Sequence, residues 1–250
     1  MSEDSTTVWG DHDVEGRPRT LRLGSLRMTV ASAAGELRLA WSHDDRPPEW
    51  SRWAPGEWSG RVRLTPVHPD RLVVVKPERE FRLLRGARAR IYLRVPLHVR
   101  LEALGSAPRT LVTVPTDPLA DTWWGTPLEG ELGYWLDTRA RRAIQDDEFL
   151  EHLCICPLQL ENDSSDHLMV DRIALRVAHL SVYRDGTRLW SDETRVRYLG
   201  EEAWSRIEMA GRAPTEAAEA ERVTPPTRPL PRGFTARTFA RLKSSIEEWL

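Results

Sequence analysis

The sequence predicts an all-β protein. The expected form is an antiparallel β-sandwich or jelly-roll-like barrel, of one large or two packed β units, with a C-terminal amphipathic helix. Three observations lead there. Short runs alternating apolar and polar recur from residue 20 to residue 198, no helical pattern is interleaved with them, and helical spacing shows only in the tail beyond residue 233.

The first alternating runs are Leu21 and Leu23, then Leu26, Met28 and Val30, then Leu37, Leu39 and Trp41. Period two is the strand signature, and Ala34-Gly35 marks the turn between the last two runs. Residues 43–60 carry Pro47, Pro48 and Pro55 among Trp50, Trp53 and Trp58, which predicts a loop because proline cannot donate to a ladder. Strands are expected again at 62–64, 72–75 and 89–101. Pro96 interrupts the last, predicting an edge position, a bulge or a strand that changes sheets. Runs at 111–114 and 131–136 follow, and the polar stretch 138–151, expected as a short helix or loop, is the candidate boundary.

The second half opens with 153–160, a polar turn at 161–166, and alternation from 168 to 183. Asp185-Gly186 predicts a two-residue type I′ hairpin with Val182 facing Leu189, returning along 188–198. The resulting organisation is an N-terminal β unit at 8–142 and a second β unit at 152–209 packed on it. An Ala/Glu- then Pro-rich linker occupies 210–232, and a helix 233–250. Thr235 is placed to cap that helix, and Phe239, Leu242, Ile246 and Trp249 fall on one face.

Composition excludes several classes. The 250 residues carry a net charge of −2, with basic and acidic residues interspersed, so no field for nucleic acid is expected. The longest aliphatic run, 72–75, is far short of the roughly 20 residues that span a bilayer. Residues 1–7 are acidic and polar, without the apolar run of a secretory signal. The two cysteines, Cys154 and Cys156, stand at i and i+2 of a strand, where Cα atoms lie roughly 6.5–7 Å apart. That is at the limit of disulfide geometry, so free thiols and a cytoplasmic location are expected.

Several segments carry a resemblance. They are Val8-Trp9-Gly10-Asp11-His12; the run from Pro69-Asp70-Arg71 to Lys76-Pro77-Glu78; and Tyr92-Leu93-Arg94-Val95-Pro96-Leu97. Further ones are Val114-Pro115-Thr116, Thr122-Trp123-Trp124-Gly125, Gly130-Glu131-Leu132-Gly133-Tyr134, and Cys156-Pro157 with Leu160-Glu161-Asn162. Together, over roughly residues 8–205, the chain resembles the uncharacterised prokaryotic domain-of-unknown-function 432 family, with the Pro-rich linker and tail outside the likeness. The resemblance implies a cytoplasmic β protein with no assigned activity. By family association it points to a small mechanosensitive channel as a partner.

Six residues are candidates for a ligand site. Lys76, one of only two lysines, ends an apolar strand next to Glu78, where it is placed either to hold an anion or to lie paired on the surface. Trp123 and Trp124 are adjacent in a strand and face opposite ways. An exposed one beside Asp121 and Glu131 would stack on a sugar or base, whereas the bland reading buries both. Trp50, Trp53 and Trp58 either bind a protein partner or form a flap that closes the end of the sandwich. The tail residues Phe239, Leu242, Ile246 and Trp249 either dock on the protein's own body, the favoured reading, or bind a partner. His152, Cys154 and Cys156 share one strand direction, but a zinc site wants about four ligands from several elements, so no metal is expected. The turn 161–166 is rich in oxygen ligands but lacks the order and glycine of a calcium loop.

No GxGxxG, Walker, GxSxG or HExxH pattern occurs, so no catalytic residue and no cofactor is assigned. The leading reading is a non-enzymatic binding or regulatory β-module. The alternative is a hydrolase-type enzyme for a carbohydrate or phosphoester, which requires Lys76, Glu78, Asp121 and Glu131 to line one cleft.

Overall fold

The computed structural model describes residues 7–44, 46–144, 150–200, 205–229, 231 and 233–239. Among them the protein is all-β in several sheets, with two single-turn 3-10 segments and no α-helix.

After β1 (Gly10–Asp13), the chain forms a meander of β2 (Arg19–Leu23), β3 (Leu26–Ala33), β4 (Glu36–His43) and β5 (Glu49–Trp53). Alternation sends Leu26, Met28, Val30, Leu37 and Leu39 inward. Ala34 and Gly35 both take positive φ, +55° and +79°, as a type I′ turn requires. The expected loop at 43–60 is only partly a loop, because β5 pairs with β4. Pro47 and Pro48 precede β5, Pro55 follows it, and β5 is the sheet edge, so no proline enters the ladder.

Next come β6 (Arg61–Val67), β7 (Val73–Pro77), β8 (Phe81–Leu83), β9 (Arg88–Pro96) and β10 (His98–Ala103). The run 89–101 is therefore two strands in two sheets, with the change at Pro96-Leu97. Then follow β11 (Arg109–Pro115), β12 (Ala120–Gly125) and β13 (Gly130–Ala140). One sheet has the order β1-β6-β10-β11.

The rest comprises β14 (Leu153–Asn162), β15 (Leu168–Val170), β16 (Ile173–Leu175), β17 (Val182–Asp185), β18 (Arg188–Ser191), β19 (Thr194–Tyr198), β20 (Ser205–Met209), β21 (Glu221–Thr224) and β22 (Thr235–Ala236). The alternation at 168–183 is not one strand: it breaks into β15, β16, a 3-10 turn at Val177–His179 and β17. The 185–186 hairpin forms with a shifted turn. Asp185 pairs with Arg188 and Val182 with Ser191, so Gly186 and Thr187 are central. Positive φ falls on Gly186 alone, as in a II′-type turn. A slip of two residues preserves facing, so Val182 and Leu189 stay buried.

The sheets are mixed, which corrects the purely antiparallel expectation. β13 pairs with β7 in parallel, and β14 runs parallel to β18 and then to β19. Such pairs need long connections, and these strands are far apart in the chain. β14 is the hub of the largest sheet, because its other edge carries β9 antiparallel from Leu153↔Pro96 to Glu161↔Arg88. One apolar cluster runs continuously from Trp9 and Val14 through Leu93, Val95, Leu158 and Leu160 to Ala236.

The C-terminal stretch also departs from expectation. Residues of the proposed linker lie on the body: Thr224 Oγ1 donates to the Pro66 carbonyl at 2.6 Å, and Thr227 Oγ1 to the Ala178 carbonyl at 3.0 Å. Thr235 caps no helix. It lies in β22, opposite Arg206 of β20. Phe239 bridges to Ile173 and meets Tyr198 edge-on at 5.6 Å. A free strand edge on β20 offered ladder partners that a lone first helical turn would lack. The remaining helix-face positions, Leu242, Ile246 and Trp249, lie outside the described residues.

Candidate functional site

A cavity of about 610 Å³ opens where the outer face of the β10 sheet meets β13 and the C-terminal stretch. Alternation along β10 makes its floor: Val99 and Leu101 enter the core, so His98 and Arg100 face the other way. Their partners on β11, Pro115 and Thr113, stand on that same face. His68 follows β6 directly and closes one end. Pro118 and Leu119 add apolar wall, Tyr134 comes from β13, and Thr227 with Arg228 crosses from the C-terminal stretch.

The cavity's polar groups are organised. Tyr134 donates its hydroxyl to Asp70 at 2.9 Å, and the Arg71 guanidinium lies over the Tyr134 ring. Burial and the neighbouring carboxylate push the Tyr134 hydroxyl up. Burial pulls both His68 and His98 down to about 4, so both imidazoles are neutral at neutral pH. Arg100 sits 3.9 Å from Glu102 in a long ion pair. Arg228 is anchored through its backbone: its N–H donates to Ala178, and its carbonyl lies 3.0 Å from His179 Nδ1. The lining thus carries two arginines and the Asp70 carboxylate, with Glu102 beside Arg100 and Arg71 beside Asp70, each at 3.9 Å.

The six predicted ligand residues do not share this cavity. On the sheet β12-β13-β7-β16, Lys76 alternates with Val74, and Glu131 stands opposite Trp124 in the register. Val74 and Trp124 pack in one cluster, so Lys76, Glu131 and Trp124 share that face. Asp121 and Trp123 are odd-numbered steps away and point to the other face. Asp121 accepts from Arg71 at 3.0 Å, Glu131 is held by the largely buried Arg176, and Glu78 lies 3.9 Å from Arg141. Lys76 is exposed. The cleft of Lys76, Glu78, Asp121 and Glu131 is therefore not formed.

The tryptophans divide. Trp124 is buried and donates to the Arg237 carbonyl at 2.8 Å, whereas Trp123 is 53 % exposed. Trp53 and Trp58 pack against the core, and of these three tryptophans Trp50 is the exposed one. The turn 161–166 serves itself: Asn162 Nδ2 donates to the carbonyls of Leu83 and Asp166, and Ser164 Oγ donates to Asn162.

His152 leaves the cysteines and pairs with Asp117 at 3.0 Å. Another histidine, His68, takes its place with Nε2 at 3.9 Å from Cys154 Sγ. Both thiols are free and buried, and burial pushes the Cys154 thiol well up.

A second groove on the β14 sheet is lined by Arg88, Arg90, Glu161, Glu193, Arg195 and Arg197. Its charges answer one another: Arg88 and Arg197 meet Glu161, and Arg90 meets both Glu193 and Glu216. It is a paired surface.

Sequence reasoning missed His68, His98, Arg100 and Arg228. Asp70 and Tyr134 lie inside segments that carry the family resemblance, and the polar side of the 98–102 alternation is a signal for His98 and Arg100.

No helix among the described residues is long and apolar enough to cross a membrane. No curated protein and no solved structure matches the chain. The family described as "Protein of unknown function (DUF432)" matches residues 8–243, which takes in the Pro-rich stretch and the first part of the tail that the sequence resemblance had left out. The chain belongs to the DUF432 family.

Proposed function

We propose that this protein is a non-enzymatic binding module whose ligand is a small organic anion held in the cavity of His68, His98, Arg100, Tyr134 and Arg228. The observation that carries the reading is the cavity: a concave, partly apolar space with a few convergent polar groups and two arginines. A carboxylate or phosphate would pair with Arg100 and Arg228, and an apolar body would rest on Pro115, Pro118 and Leu119. The neutral imidazole of His98 would donate or accept a single hydrogen bond without adding charge. Free buried thiols support a cytoplasmic setting.

The regulatory side of the reading rests on the β12–β13 hairpin. Trp123 stands opposite Leu132, both are exposed, and Leu128 at the tip is 96 % exposed. An exposed apolar patch suits a protein partner, and family association suggests a small mechanosensitive channel.

The test is a thermal-shift panel of short-chain carboxylates and sugar phosphates on the full-length chain. At least one class should raise the melting temperature, and Arg100→Gln and Arg228→Gln should abolish that rise. A flat panel, or an undiminished shift in both variants, overturns the reading.

A further inference from the structure

We infer that His68, Cys154 and Cys156 form a zinc site. Considered along one strand, the cysteines lack enough partners. The tertiary structure brings His68 from the end of β6 to them, so the ligand atoms of the three residues all lie within 4.8 Å of one another. Zinc–sulfur bonds of about 2.3 Å and zinc–nitrogen bonds of about 2.0–2.1 Å put nitrogen and sulfur roughly 3.5–3.8 Å apart and two sulfurs roughly 3.8–4.0 Å apart, from tetrahedral to trigonal angles. The 3.9 Å from His68 Nε2 to Cys154 Sγ lies just beyond the nitrogen–sulfur range, and a small ring movement closes the difference.

The register explains the convergence. Cys154 and Cys156 are two residues apart on β14, opposite Val95 and Leu93 of β9, and both enter the main core cluster, while Ile155 between them packs in a separate one. Their present partners are weak: Cys154 Sγ reaches the Ile155 carbonyl at 3.9 Å and Cys156 Sγ the Cys154 carbonyl at 3.7 Å. His68 is 4 % exposed, and its Nδ1 is buried without a well-formed hydrogen bond, with the Ser181 backbone beside it. Metal-bound histidines usually give the second ring N–H to such a backbone carbonyl, and a small ring movement on binding would complete that bond.

Charge selects a divalent ion, and the soft thiolates favour zinc among those. All three ligands are buried, and an uncompensated charge there is costly. Zn²⁺ with two thiolates and a neutral imidazole sums to zero, the two thiol protons leaving to solvent. Cu⁺ on the same ligands leaves a net negative charge near Asp192, which is itself buried. Of the three ligands only His68 lines the cavity, so it is the one that borders solvent. The metal site rests on these three residues and not on the anion reading.

The test uses the full-length chain, reduced and stripped of metal. Titration with Co²⁺ should give thiolate-to-cobalt charge-transfer absorption and tetrahedral d–d bands that saturate near one equivalent. Zn²⁺ should bleach both and raise the melting temperature. His68→Ala, Cys154→Ser and Cys156→Ser should lose the charge-transfer bands or weaken them severalfold, whereas His152→Ala should keep them. A wild-type chain with no thiolate–cobalt absorption overturns the inference, and that reading needs no variant to fold. Loss in His152→Ala with retention in His68→Ala overturns it too, and copper(I) binding without any zinc binding overturns the choice of metal.

Discussion

His152 Nε2 lies 3.0 Å from Asp117 Oδ2, and this one contact ties the start of β14 to the segment between β11 and β12. Asp117 also accepts the Ser25 backbone N–H at 2.8 Å. Its carboxylate occupies space that only a glycine leaves free: a Cβ on Gly24, whose φ is +60°, would fall 2.6 Å from Asp117 Oδ2.

Asp117→Ala and Gly24→Ala should therefore each destabilise the protein, by about 1–3 kcal/mol, through the same contact. The double variant should cost less than the sum of the singles, because residues sharing one partner are not additive. Denaturant midpoints of the four proteins check this, and strict additivity would show that the two positions act independently. The hydrogen bond to His152 leads the forces that hold the Asp117 carboxyl down to about 2. A lowered carboxyl contributes stability that is complete above its ordinary value near 3.8 and lost as pH falls through about 2. Asp117→Asn should remove that low-pH limb.

His98 governs a different window. Burial holds it near 4 against an ordinary 6.5. Between those values the unfolded chain binds a proton that the folded chain refuses, so stability falls as pH drops from about 6.5 to about 4 and levels below that. The expected outcome for His98→Gln, measured as melting temperature against pH on metal-free protein, is a shallower fall across that window. An identical slope in both proteins would mean that His98 is protonated in the folded state.

Gly186 sits at φ +58° at the first central position of the β17–β18 turn, with open space where a Cβ would project. Backbone conformation, not crowding, should decide substitutions here. Gly186→Val should cost more than about 1 kcal/mol, since a β-branched residue is forced to positive φ. Gly186→Asn should cost much less, because asparagine tolerates that region. Equal midpoints for the two variants would show that the turn relaxes to another type.

Local pattern is legible in the residues alone. Period-two alternation placed the strands β2, β3 and β4 and the Ala34-Gly35 turn, and Pro96 marked an irregularity without saying which of an edge, a bulge or a change of sheet it makes, because strand facing and proline chemistry are written residue by residue. The two buried free thiols and the family also followed from residues alone. Which strands become neighbours is a property of the folded chain. The parallel pairing of β14 with β18 and β19 joins segments that no local rule connects. Facing within a strand does not say what lies across from it, so Asp121 and Glu131, adjacent in the sequence argument, stand on opposite faces. For the same reason His152 was grouped with the cysteines by spacing, while the fold turned it to Asp117 and carried His68 from β6 to Cys154. The cavity is the clearest case: its lining comes from six separate stretches between Val67 and Arg228, and a site assembled by long-range packing leaves no period in the chain to read.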